Sequence, residues 1–265
     1  MLPFHFWYQR LQEIYSSEES KAVLGKFFTE RTGRSLAFWM GENLEEWEAH
    51  RSDLENLCEG RPVQYVLGYE WFGPLRIGVN SSVLIPRPET WELVEWASEQ
   101  PSASFLDLCT GSGCIALALS TFYPHAKICG IDLSSEALET AQRNRDFLKV
   151  SVNFQRMDVL TKNPPHGYET WISNPPYVGL DEKLAMEKNV LDFEPELALF
   201  SEDPNRFYFR IVQLFLEDAT AQTLFFELNP QHVEEVQSEV LKHDLHWETR
   251  TDFRGKMRMA KIRKS

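Results

Sequence analysis

The stretch Trp171-Ile172-Ser173-Asn174-Pro175-Pro176-Tyr177 joins a strand-like apolar lead-in to two prolines. Neither proline has an N–H to offer a sheet, and each drives the residue before it away from the αR region. Asn174 is therefore expected in a rigid, extended loop just past a strand end, its carboxamide fixed and Tyr177 beside it. In an open α/β sheet, ligands bind in the crevice beyond the carboxyl ends of the strands. A fixed side-chain carbonyl, together with backbone carbonyls released by the prolines, makes a set of acceptors converging on a planar –NH2 group. Such a set suits an enzyme acting on the nitrogen of an amide or an exocyclic amine. A Pro-rich turn with an Asn cap uses the same four residues, so the material upstream has to decide.

A second constellation lies there. Cys109-Thr110-Gly111-Ser112-Gly113 follows the strand-like Ser104-Phe105-Leu106-Asp107-Leu108 and opens a helix. Glycines let a backbone come close to a ligand, and a helix N-terminus presents free N–H groups. Asp132 ends the next strand, about twenty residues on, where nucleotide-binding α/β folds bond ribose hydroxyls. Through Ala116 the loop also satisfies a loose G-x-G-x-x-A, so a nicotinamide dehydrogenase stays open on this motif alone. Asp107 is the odd residue, because a carboxylate inside an apolar strand must be paired or hydrogen-bonded. The loop amides would serve, or the ammonium of an amino-acid-bearing cofactor. S-adenosylmethionine carries such a cation and a dinucleotide does not. Asp158, with Val159 after it, ends a third strand within reach of an adenine amino group. Asp107, Asp132, Asp158 and Asn174 thus form one row along a single sheet edge.

The elements that must position this row are legible as an alternation. Lys127-Ile128-Cys129-Gly130-Ile131-Asp132 reads as a strand, and Ser134 as the N-cap of a helix running from Glu136 to Leu148. Strands follow at Val152–Met157, Glu169–Ser173 and Thr223–Glu227, with a helix at Phe207–Leu216 before the last. Trp247–Thr251 and Lys256–Ile262 alternate in the manner of an antiparallel hairpin around Phe253-Arg254-Gly255. The expectation is a doubly wound, mostly parallel α/β sheet with an antiparallel edge. Upstream, Val63–Gly68 and Trp71–Val79 are β-rich runs broken by Gly and Pro, suggesting a β-hairpin linker. Leu84-Ile85-Pro86-Arg87-Pro88-Glu89-Thr90 is a proline-stiffened helix start, where Arg87 and Glu89 are placed to orient a substrate loop. Residues 1–65 read as a small helical domain, punctuated at Ser17–Ser20 and at Gly41-Glu42-Asn43. Residues 66–100 read as hairpin linker and connecting helix, and 101–265 as the sheet domain.

A formal charge of −13 over 265 residues argues against a general nucleic-acid binder, since phosphate neutralisation dominates such affinity. One stretch breaks the trend: Arg250, Arg254, Lys256, Arg258, Lys261, Arg263 and Lys264 face the single acid Asp252. A solvated strand face is the favoured explanation, and a contact to RNA or an acidic partner the lesser one. Cys58, Cys109, Cys114 and Cys129 form no CxxC pair and have no His at ligand spacing, so they read as small buried residues rather than zinc ligands or disulfides. No metal is expected. With no apolar run near the ~18–20 residues of a membrane span and no signal-peptide pattern, the expected location is the cytoplasm.

Phe105–Gly113, Asp132, Asp158 and Ser173–Tyr177 together resemble the motifs of class I S-adenosylmethionine methyltransferases of the N-P-P-Y type, which modify amide or exocyclic amino nitrogens. The likeness extends over most of the chain. Gly60-Arg61-Pro62-Val63-Gln64-Tyr65-Val66-Leu67-Gly68, Leu84–Thr90 and Phe193-Glu194-Pro195 resemble the release factor glutamine methyltransferase (HemK/PrmC) family. Pro86-Arg87-Pro88-Glu89-Thr90 favours it over the sister family that acts on a ribosomal protein, where Pro-Arg-Ser-Pro is expected. The resemblance implies a seven-stranded sheet, S-adenosylmethionine as methyl donor, and the glutamine of the Gly-Gly-Gln loop of class I peptide chain release factors as target. It also implies an N-terminal helical domain that helps grip that factor. The cofactor would lie on Asp107, Cys109–Gly113, Asp132, Asp158, Val159 and Asn174. The amide would lie on Asn174, Pro175, Pro176 and Tyr177, with Arg87 and Glu89 nearby. An adenine-N6 methyltransferase shares the N-P-P-Y logic but would have to extrude a base and hold a nucleic-acid backbone. Three positions depart from the family pattern. Cys109 stands where a first loop glycine is usual, Phe215–Thr223 lacks a Lys-Pro-Gly-Gly-like turn, and Glu227-Leu228-Asn229-Pro230 replaces Glu-x-Gly. The last two look peripheral.

Overall fold

Aromatic and aliphatic residues at helical spacing build the first of two units in the computed structural model, which describes residues 3–41 and 44–264. The expected break at Glu42-Asn43 lies outside the described residues. This unit comprises Met1–Tyr69 with Glu187–Phe193. Its helices are α1 (Pro3–Leu11), α2 (Ser17–Thr32), α3 (Leu36–Trp39), α4 (Leu44–Glu48), α5 (Arg51–Cys58) and α6 (Val63–Leu67). The Ser16 hydroxyl caps α2 by accepting from the Glu19 N–H, and Gly33 closes it at φ 72°. Trp7, Leu24, Phe28, Trp39 and Trp47 fill the core, with the Phe28 and Trp39 rings stacked at 4.2 Å.

The first β-rich run is a correction. Val63–Leu67 is helical, with Pro62 at its N-cap and Gly68 in the left-handed region at its C-cap. Val63 and Leu67, four apart, share a helix face and are buried in the same core, and that packing overrides their β propensity. The hairpin starts after them, as β1 (Tyr69–Phe72) and β2 (Leu75–Gly78). Gly73 at its turn has φ 56°, and a Cβ there would lie 2.4 Å from the Trp91 indole.

The second unit takes Glu70–Met186 and Glu194–Ser265. In order it contains α7 (Pro88–Ser98), β3 (Ser104–Leu108), α8 (Cys114–Phe122), β4 (Lys127–Asp132), α9 (Ser135–Leu148), β5 (Asn153–Arg156), β6 (Thr170–Ser173) and β7 (Val178–Gly179). After α10 (Lys188–Phe193), which belongs to the helical unit, come α11 (Glu196–Leu199), β8 (Phe200–Ser201), α12 (Arg206–Glu217), β9 (Thr223–Glu227), α13 (Val233–Leu241), β10 (His246–Thr251) and β11 (Met257–Arg263). Seven strands form one sheet in the order β10-β11-β9-β6-β3-β4-β5, parallel except where β11 meets its neighbours. The chain runs outward from β3 to β5 and then returns to β6 on the other side of β3. The strand order therefore reverses between β3 and β6, and such a reversal opens a crevice at the carboxyl edge. Leu106, Trp171, Leu224 and Phe226 contribute to the core under this edge. No helix among the described residues is long and apolar enough to cross a membrane.

Candidate functional site

Leu108 and Ser173 are register partners on β3 and β6, so the two motif loops leave the sheet side by side. The Ser173 hydroxyl donates to the Leu108 carbonyl at 2.7 Å and ties them together. Cys109 turns the chain at φ 64°, a left-handed conformation that a side chain adopts at a cost, which accounts for glycine as the usual residue here. Gly113, the N-cap of α8, has φ 81°, and a Cβ there would meet Phe154 at 2.9 Å and Ala141 at 3.1 Å.

Asp107 is fully buried beneath this loop. Its Oδ2 accepts from the Thr110 hydroxyl and from the Ala116 N–H, while no donor among the described residues reaches Oδ1. Burial pushes its carboxyl up to about 7. Asp132 accepts from the Gly111 N–H at 2.8 Å and from the Ser134 N–H at 2.9 Å, and burial raises it too. Asp158 accepts from the Leu160 N–H and the Thr161 hydroxyl. The expected row of polar residues thus stands at the carboxyl edge, with Asp107 set under the loop it braces.

A cavity of about 540 Å³ opens over this edge. Cys109, Thr110, Gly111, Ser112, Asp132, Asp158, Val159, Asn174, Pro176 and Arg87 line it, between apolar walls that include Leu133, Leu160 and Phe207. Asp107, Gly113, Glu89, Pro175 and Tyr177 are not among the lining residues. Tyr177, on which the amide was expected to lie, packs instead against the core and turns its hydroxyl to Glu227 at 3.2 Å. Arg87 donates to Glu194 Oε1 at 2.6 Å, and the Ile85 N–H donates to Glu194 Oε2 at 3.1 Å. The proline-stiffened segment is thereby joined to Phe193-Glu194-Pro195, two stretches that the sequence offers with no sign of their contact.

Glu227 is the second correction. Far from peripheral, it is fully buried at the end of β9, next to the Asn174 loop, because Ser173 and Phe226 are register partners. Its Oε2 accepts from the Thr90 hydroxyl at 2.6 Å, and Thr90 Oγ1 accepts from Asn174 Nδ2 at 3.3 Å. Burial pushes Glu227 up to about 7. Asn229, two residues on, donates to the Tyr177 carbonyl at 3.2 Å and to Glu182 at 3.0 Å, bracing the far end of the loop. An acid inside the apolar run Thr223-Leu224-Phe225-Phe226-Glu227 was the available signal, by the same logic that singled out Asp107.

Comparisons with known proteins agree with this geometry. A family described as methyltransferase small domain matches residues 90–192. A release factor glutamine methyltransferase of Bacteroides thetaiotaomicron is 43% identical over 233 residues, covering 83% of this chain and 84% of its own length. Its namesake from Flavobacterium psychrophilum is 38% identical, covering 83% and 80%. Among solved structures, the hMettl16 catalytic domain in complex with MAT2A 3'UTR hairpin 6 aligns with TM-score 0.58 at 16% identity, over 78% of this chain and 81% of that one. The human methyltransferase 10 domain containing protein aligns with TM-score 0.54 at 17% identity, over 77% and 96%. At these identities the two structures share the fold of this chain.

Proposed function

Because this chain belongs to the release factor glutamine methyltransferase family, we propose that it transfers a methyl group from S-adenosylmethionine to the side-chain amide nitrogen of the glutamine in a release factor's Gly-Gly-Gln loop. The enzyme is a protein-glutamine methyltransferase. The observation that carries the reading is the placement of Asn174 on the wall of the same cavity that the glycine loop floors, from an adjacent strand end.

The residues present fit the donor. Asp132 and Asp158, on successive strand ends, keep lone pairs for a ribose and an adenine amino group, and Leu133, Val159 and Leu160 make apolar walls for the base. The unpartnered Oδ1 of Asp107 leaves acceptor capacity under the glycine loop, on the side where an amino-acid tail would lie. When bound, S-adenosylmethionine supplies a methyl carbon on a cationic sulfur, which departs as a neutral thioether.

A carboxamide nitrogen is a weak nucleophile because its lone pair is delocalised into the carbonyl. The work left to this chain is positioning and electrostatics rather than strong-base chemistry. Asn174 Oδ1 and the Pro175 carbonyl accept the two N–H bonds of the glutamine amide, turning its nitrogen into the cavity and concentrating charge on it. As the N–CH3 bond forms, one of these two protons is lost to water, leaving a neutral N-methyl amide. Pro175 and Pro176 hold these acceptors still, and Tyr177 anchors the end of the loop. Arg87, fixed by Glu194 at the rim, and Glu89 orient the incoming loop. The helical unit, residues 1–65 in the sequence reading, grips the rest of the factor. Four free cysteines suit the reducing cytoplasm, where release factors act.

The test is to incubate the enzyme with labelled S-adenosylmethionine and an unmodified class I release factor, and to map the product by mass spectrometry. One methyl on the Gly-Gly-Gln glutamine is expected. Label on another residue, or on none, refutes the assignment.

A further inference from the structure

An asparagine carboxamide is nearly symmetric in shape but opposite in function at its two ends, one accepting and the other donating. For the reaction above, Asn174 must present Oδ1 to the substrate, because Nδ2 would confront the glutamine –NH2 donor to donor. Asn174 lies in a loop whose prolines fix the backbone, and backbone rigidity does not choose between the two amide orientations. Something else has to.

We propose that Glu227, acting through the hydroxyl of Thr90, sets which end of the Asn174 carboxamide faces the cavity, and is thus a positioning residue for methyl transfer. The inference rests on the function proposed above and deepens it. Its logic is a count of hydrogens. A carboxylate only accepts, so the single hydroxyl hydrogen of Thr90 is committed to Glu227 Oε2, at 2.6 Å. Toward Asn174, at 3.3 Å, Thr90 can then only accept, and the atom it accepts from is Nδ2. Oδ1 is left unengaged by Thr90 and available to a substrate in the cavity that Thr90 and Asn174 both line. The second carboxylate oxygen takes the Tyr177 hydroxyl, so one buried acid orders both ends of the Asn-Pro-Pro-Tyr loop.

A proton on Glu227 Oε2 reverses this chain. The acid then donates to Thr90, the Thr90 hydrogen is freed toward Asn174, and the favoured amide orientation presents Nδ2 to the cavity. The groups facing Glu227 are Glu89 and Thr90 of α7, Cys114 of α8, Tyr177, Tyr208 of α12 and Arg258 of β11. Burial and the charge of Glu89 favour the protonated acid, while Thr90, Tyr177 and Arg258 favour the carboxylate. The resulting value of about 7 puts the reversal in the neutral range.

The experiment compares Thr90→Val, Thr90→Ser, Glu227→Gln and the double variant Thr90→Val/Glu227→Gln in the full chain. It measures kcat and KM for the release factor, S-adenosylhomocysteine affinity, and the asparagine side-chain NH2 resonances of selectively labelled protein. At pH 8, Thr90→Val and Glu227→Gln are each expected to lower kcat about tenfold or more, with S-adenosylhomocysteine affinity within about threefold, which also reports an intact fold. Thr90→Ser, which keeps the hydroxyl, regains most of the turnover lost in Thr90→Val. The double variant is no slower than the slower single one, because both act on one amide. In the parent enzyme kcat rises with pH through neutrality and the Asn174 NH2 signals titrate with it; in Glu227→Gln both lose that dependence. Thr90→Ser as slow as Thr90→Val, losses that multiply in the double variant, or Asn174 signals indifferent to pH would each overturn the proposal. Should the parent enzyme leave the release factor unmethylated, the function reading fails, and the NH2 titration still decides the orientation relay on its own.

Discussion

Replacing Asn174 by alanine removes the side-chain carbonyl that turns the target amide, while the glycine loop, Asp132 and Asp158 keep every bond they make. Turnover is expected to fall by about 10²–10³, the usual effect of deleting one aimed polar group in a water-poor site, with S-adenosylhomocysteine affinity nearly intact. A steady-state assay beside a calorimetric titration checks both halves, and unchanged turnover would sink the role assigned to Asn174. This residue was legible because its chemistry is local: two prolines after an apolar strand announce a rigid loop before any fold is known. Thr90 and Glu227 were not. They lie 137 residues apart, and Thr90 lies 84 from Asn174, so their meeting exists only once β9 is laid beside β6 and α7 is packed on β9. Asp107 stands between these cases, since the need of a buried acid for partners was readable, though the partners proved to be Thr110 and Ala116.

At the scale of elements, Glu194 holds Arg87 and the Ile85 N–H, and so fastens the start of α7 to the segment entering α11. Its side chain is 1% exposed and that of Arg87 31%, so the pair is screened from water on one side only. Glu194→Ala leaves a half-buried guanidinium and a backbone N–H without their acceptor, at a cost of about 1–3 kcal/mol. The expected result is a lower Tm and a raised KM for the release factor. An unchanged KM would deny this clamp any part in substrate orientation. The alternation of strands and helices from Ser104 onward was readable because each element carries its own periodicity and its own cap, as with Ser134, whose hydroxyl accepts from the Ala137 N–H. Val63–Leu67 was misread for the opposite reason. Five residues, three of them β-branched or aromatic, hold too little sequence to show a period, and the surrounding helical core decides.

For the whole molecule, two deeply buried acids govern how stability varies with pH. Asp107 and Glu227 are both pushed up to about 7, above the values they have in an unfolded chain, so the native state prefers their protonated forms. The associated stability is present at low pH and is lost as pH rises through 7. From pH 6 to 8.5 each group is expected to withdraw about 1.4 kcal/mol, one pH unit's worth, because the loss levels off once the folded-state value is passed. Without ligand, Tm should therefore fall by several degrees over that range, and Glu227→Gln should remove part of the fall; a flat profile in calorimetry would contradict both assignments. The acidic charge balance is reinforced by pairing within the basic C-terminal stretch. Arg250 pairs with Glu99 at the surface and Arg258 with the buried Asp252, so these cations are matched within the chain and do not favour a nucleic-acid substrate. The helical unit is also discontinuous along the chain, since Glu187–Phe193 completes it from beyond the Asn-Pro-Pro-Tyr loop, with Phe193 lying against Gly60 and Ile14's neighbour Tyr15 bonding Asn189. A single genetic crossover near residue 69 would carry away an unfinished bundle. The two halves are stitched rather than joined end to end, and descendants of this gene must inherit them as a matched set.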